Sequence, residues 1–214
     1  EQKKLLIETL RKEGLLDRPR MTLPMIPKHI AIITGTASAA LADMYRLIEN
    51  RWPGLRRTII GVTVQGENAP NEIVRAILAA GKLSNPTIAM KLDLPPVDLI
   101  IVGRGGGAPE DLWAFNLEPV VRAIIASNIP VVSAVGHESD ILVSDLVADL
   151  RASTPSNAIE RCVPEYDYQQ QLSIHFLERL DEATNRLFLD CRNRIQLIQS
   201  RLLNAPLKGV YNAR

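Results

Sequence analysis

The chain has 214 residues, of which 46% are hydrophobic and 23% charged, with a net charge of +1. That length suits one α/β core with an appendage and excludes two large domains, and the balance is that of an ordinary globular protein. Only 4% of the residues are aromatic, which argues against a base-stacking platform of the kind single-strand binders use.

Residues 3–16, KKLLIETLRKEGLL, set Leu5, Leu6, Ile7 and Leu10 among charges, an amphipathic connector helix that Gly14 helps to end. The sequence starts in mid-helix, as a fragment of a longer polypeptide does. Pro19, Pro24 and Pro27 keep the chain extended up to a first strand over 29–34. Gly35-Thr36-Ala37-Ser38 then turns into a helix over 39–51, and small residues at a helix N-terminus favour an anion. A second strand is expected over 57–64, RTIIGVTV. The turn Gln65-Gly66-Glu67-Asn68-Ala69-Pro70 follows, then a helix over 71–83 with Ile73, Ile77 and Leu78 inward. A proline-rich loop over 84–97 is longer than most connections.

The stretch from Asp98 to Asp149 carries most of the informative chemistry. Leu99 to Val102 and Ile129 to Val135 are short, β-branched runs bounded by glycine, as buried parallel strands are. Gly103-Arg104-Gly105-Gly106-Gly107 follows the first and Gly136-His137-Glu138-Ser139-Asp140 the second. Both turns therefore stand at carboxyl ends of strands, where open α/β sheets bind ligands, and Arg104 and His137 can face one cleft. Pro109 begins a helix with Glu110 and Asp111 in its first turn; Trp113 and Phe115 on it read as core. Residues 139–150 predict a further helix. The order βαβαβαβα gives an open, mostly parallel sheet wrapped by helices over 28–160, after a connector over 1–27 and before a helical arm over 161–214. Thr154-Pro155 is a helix-start signal. From Leu172 onward Phe176, Leu180, Ala183, Leu187, Cys191, Ile195, Ile198 and Leu202 recur at steps of three or four, one long amphipathic helix ended by Pro206.

Cys162 and Cys191 form no metal-ligand or redox spacing, which fits a reduced compartment. No apolar run approaches membrane-spanning length and the first residues are not a signal peptide, so a soluble, cytoplasmic protein is expected. Arg51, Arg56 and Arg57 cluster near one turn, and Arg186, Arg192, Arg194 and Arg201 along the C-terminal segment. Each cluster is either a solvated face or a phosphate contact.

The residue types at the two turns point to phosphate chemistry. The Arg104 guanidinium can grip two phosphate oxygens while the following glycines expose backbone donors, or it can pair with a structural acid. His137 suits proton transfer near neutral pH. Asp140, three positions on, can hold the imidazole, or cap a helix starting beside it. Asp43, read from its surroundings alone, is an exposed helix acid. Gly103 to Ala108 also fits G-x-G-x-x-A, the dinucleotide fingerprint. It follows the third strand, however, and Ala134 to His137 brings no acid to the tip of the next strand for a ribose. A noncatalytic assembly subunit built around the long helix is a third class.

GRGGG, EDLWAFN, SAVGHESD and VADLRA in this order and spacing, with Asp43, Trp52-Pro53, Val64-Gln65-Gly66-Glu67 and Thr154-Pro155 around them, resemble the large subunit of exonuclease VII over residues 20–165. The resemblance implies an exodeoxyribonuclease that hydrolyses single-stranded DNA from either end to oligonucleotides, with no cofactor and no divalent metal. It implies catalytic roles for Asp43, Arg104, His137 and Asp140, and phosphate contacts from Thr36, Ser38, Gly105, Gly106 and Gly107. It further implies a small helical subunit as partner, several copies per large subunit, and an oligonucleotide-binding barrel before this point. Two departures stand out. Thr34-Gly35-Thr36-Ala37-Ser38 replaces the family's Thr-Ser-x-Thr-Gly, and Ala108 replaces a serine, which weakens the helix start by about 1 kcal/mol unless another oxygen caps it. Glu138 and Asp140 with His137 form the alternative, a single metal site.

Overall fold

Parallel strands β1 (His29–Thr34), β2 (Arg56–Gly61), β3 (Leu99–Gly103), β4 (Val131–Ala134) and β5 (Leu150–Arg151) form one sheet in the spatial order β2-β1-β3-β4-β5. The structure is a computed structural model and describes residues 2–36, 38–104, 109–136 and 141–203. It divides into two units, residues 1–166 and residues 167–214.

In the first unit every residue of β1, β3 and β4 is buried, which is why these segments read as unbroken apolar runs. Alternate side chains serve opposite faces. Ala31, Ile33, Ile100, Val102 and Val131 pack with α3 (Ala69–Leu83), α5 (Glu118–Ile125) and α6 (Val143–Val147). Ile30, Ile32, Leu99, Ile101 and Val132 pack with Met44 and Ile48 of α2 (Ala39–Arg51) and Ala158 and Ile159 of α7 (Pro155–Cys162). Each isoleucine, leucine, valine or methionine among them contributes about 1.5–3 kcal/mol by leaving water.

The connector helix α1 (Gln2–Lys12) belongs to this unit. Leu10 is fully buried, Leu6 and Ile7 pack on the same cluster, and Gly14, at φ 71°, ends the helix. Arg122 of α5 grips both carboxylate oxygens of Glu13 at 2.9 and 3.0 Å, holding that carboxyl below the usual range.

Several local expectations change. Of the helix expected over 139–150, the described residues from 141 onward form only α6, because Ala148 closes on Ser144 and the chain then runs out as β5 beside β4. The second strand stops at Gly61, and the amide of Thr63 turns to the Glu72 carboxylate, which the bond holds below its usual pKa. The loop over 84–97 contains α4 (Pro86–Lys91), capped by Asn85 accepting from the Thr87 amide at 2.9 Å. The helix expected at Pro109 is a 3-10 segment, Pro109–Asn116, and α5 restarts after it with Pro119 in its first turn. Phe115 is core as expected, whereas Trp113 is 40% exposed; on α3, Ile73 and Ile77 are buried as expected but Leu78 is 54% exposed.

Two of the basic residues near β2 fit neither reading. Arg57 pairs with Glu49 and lies 4.6 Å over the Tyr45 ring; Arg51 donates to the Val163 carbonyl and to Glu165. Both are thus engaged within the fold, on the side of the sheet where β2 begins. Cys162 is buried, and burial pushes its thiol up to about 12, so it stays protonated and inert.

The second unit holds all but the first residue of α8 (Tyr166–Leu203), a helix of 38 residues and about 57 Å at the usual rise. None of its residues is buried, and Phe176, Leu180, Leu187, Ile195, Ile198 and Leu202 are all exposed. Pro206, expected to end it, lies outside the described residues.

Candidate active site at the carboxyl edge of the sheet

The strand order fixes where a ligand crevice opens. From β1 the chain leaves through α2 on one face, and from β3 it leaves through the 3-10 segment and α5 on the other. Between those two neighbouring strands the outgoing loops part, and in doubly wound sheets that is where ligands bind. The strands end level, with Ile33 opposite Val102 and Gly103 opposite Ala134.

Arg104 follows β3 at this point. Its amide donates to the Ala134 carbonyl at 3.3 Å, and the residue is only 5% exposed, so the guanidinium is held within the fold rather than spread on the surface. The start of α7 lies against the end of β3: a Cβ on Gly103 would meet Pro155 at 3.7 Å, an ordinary van der Waals contact. The cap of α7 is Thr154, whose Oγ1 accepts from the Asn157 amide at 3.0 Å. α2, whose N-terminus follows β1, packs on the same face of the sheet as α7.

Ser38 is the cap of α2. Its Oγ accepts from the Leu41 amide at 3.2 Å and donates to the Gly35 carbonyl at 3.0 Å. Thr36 is exposed in the same turn, its methyl occupying the space a side chain at Gly61 would need. Asp43 is exposed on α2, beside the inward-facing Met44. Gly105, Gly106, Gly107, His137 and Asp140, with Ala108 and Glu138, lie outside the described residues. The order of the strands nonetheless makes β1, β3 and β4, which carry these turns, consecutive neighbours.

Two positioning groups escaped the sequence reading. The side-chain Oδ1 of Asn116 accepts from the Val143 amide at 2.9 Å, tying the segment after the glycine turn to the start of α6. Asp145, with its side chain wholly buried, accepts from Ser133 Oγ at 2.6 Å and from the Leu142 amide at 2.9 Å, with Arg151 Nε at 3.7 Å. It therefore fixes the residues on both sides of the histidine turn. Its signal was an acid inside the apolar run ILVSDLV, where a carboxylate needs partners. His29, by contrast, is buried where β1 begins, bonded to the Pro95 carbonyl and Thr58 Oγ1, and is a core histidine.

The sequence model of a family described as exonuclease VII, large subunit, matches residues 16–213. The chain belongs to that family. Among similar proteins, the exodeoxyribonuclease 7 large subunit of Hahella chejuensis is 44% identical over 90% of this chain and 41% of its own length. That of Desulforudis audaxviator is 46% identical over 91% and 44%, and that of Alkaliphilus oremlandii 45% identical over 96% and 48%. The chain thus spans about half the length of the curated relatives it matches. Membership in a family of exonuclease VII subunits takes in every motif from Asp43 to Thr154-Pro155 and leaves the dinucleotide reading of Gly103 to Ala108 without support.

Proposed function

We propose that this chain carries the catalytic centre of an exodeoxyribonuclease that hydrolyses single-stranded DNA from either end, to oligonucleotides and nucleotides, without a divalent metal. The observation that carries the reading is the buried Arg104 at the carboxyl end of β3, beside the start of α7 and next to the turn after β1. Arg104 and the amides of Gly105, Gly106 and Gly107 neutralise the scissile phosphate. Thr36 adds a hydroxyl, and Ser38 acts through the helix start it caps. Water attacks phosphorus, His137 takes its proton, and the bond to the leaving sugar oxygen breaks with return of a proton to that oxygen. Asp140 holds the imidazole, and Asp43 positions the water or the ring.

The test is digestion of end-labelled single-stranded and duplex DNA by the full-length protein with its partner subunit. Single strands should shorten from both ends in excess chelator. Activity lost to chelator and restored by magnesium would overturn the scheme and recast His137, Glu138 and Asp140 as metal ligands.

The partner we propose is a small helical subunit of the same nuclease, laid along the apolar stripe of α8. Light scattering of the mixture should give a hetero-oligomer that Leu180→Asp with Leu187→Asp dissolves. A monomer that no helical subunit shifts would remove this proposal. No described helix is long and apolar enough to cross a membrane, and we place the enzyme in the cytoplasm.

A further inference from the structure

The connector before β1 grips the segment that follows the histidine turn. Lys3 donates to the Ile141 carbonyl, Arg20 to the carbonyls of Leu146 and Val147, the latter at 2.7 Å, and Arg18 to the Val147 carbonyl at 3.0 Å. Leu146 and Val147 close α6, a helix of five residues that cannot hold itself and whose last carbonyls have no partner within it. The start of α6 is fixed from the core by Asp145 and Asn116. Its end is fixed from the connector, and Arg18 is itself anchored to Asp149 at 3.2 Å.

We propose that Arg20 is a positioning residue for the reaction, setting the placement of α6 and through it the C-terminal anchor of the turn that carries His137 and Asp140. The proposal rests on the catalytic reading of His137 given above. Arg20 is exposed and belongs to neither core cluster, so its removal leaves the core intact while loosening one end of α6, which Arg18 then holds alone. Small misplacements of a catalytic group cost rate far more than binding.

The experiment compares Arg20→Ala, Arg20→Lys and His137→Ala in the full-length enzyme with its partner subunit, on one short single-stranded oligonucleotide. For Arg20→Ala, kcat should fall about 10- to 100-fold with KM and Tm little changed. Arg20→Lys, which still donates to a carbonyl, should recover much of kcat. An active His137→Ala would sink the catalytic reading itself. If His137→Ala is inactive while Arg20→Ala keeps the parent kcat, or loses activity only in proportion to a lowered Tm, Arg20 is merely structural and the proposal fails.

Discussion

Replacing His137 with alanine should abolish turnover with the fold retained, and replacing Arg104 with lysine should be nearly as damaging as replacing it with alanine. Proton transfer by a positioned side chain supplies about 10²–10⁴-fold in rate, and no other histidine of the first unit can substitute, since His29 is sealed against Pro95 and Thr58 on the other edge of the sheet. Arg104 needs the more careful pair of variants. At 5% exposure its guanidinium is packed, so alanine risks the fold as well as the chemistry. Lysine keeps the charge and most of the stem but loses the planar fork that holds two phosphate oxygens. Steady-state kcat/KM beside a thermal melt separates the two effects. A lysine variant with parental activity would mean that charge alone suffices, and the two-point grip would have to be abandoned.

Asp149→Ala should cost about 3–5 kcal/mol of stability, the scale for removing one partner of a buried ion pair. Its side chain is 1% exposed and accepts from the Val131 amide at 2.9 Å, the Met21 amide at 2.9 Å and Arg18 at 3.2 Å. Truncation strands two amides and a guanidinium that is itself only 15% exposed. Asp149→Asn should lose less, because one oxygen still accepts. By contrast the Glu13 pair with Arg122 lies at the surface, and its loss should matter little. Urea denaturation checks all three, and a loss below about 1 kcal/mol for Asp149→Ala would show that water repairs the site.

Where a residue's placement depends on its own neighbours in sequence, it was legible. The bounds of β1 and α2 follow from a β-branched run and a small-residue turn, and Arg104 stood out because a cation among glycines after an apolar run is placed by the strand before it. The two-residue β5 has no period to detect, and Leu150 continues an apolar pattern that a helix would accept equally well. Asp145 and Asn116 act on amides fixed by other segments, so only the folded chain shows what they do. Trp113 and Phe115 are two positions apart on a 3-10 segment, and a preference for burying aromatics could not tell which one faces the core.

The Asp149 bond also sets a timetable. Met21 is made 128 residues before its acceptor. At ordinary translation speeds that is roughly 6–26 s during which the amide has no mate and the apolar face of α1 has no core to enter. Closure of the first unit therefore waits on the ribosome, and a nascent chain stalled before Asp149 should present Leu6, Ile7 and Leu10 to any chaperone that binds exposed apolar helices.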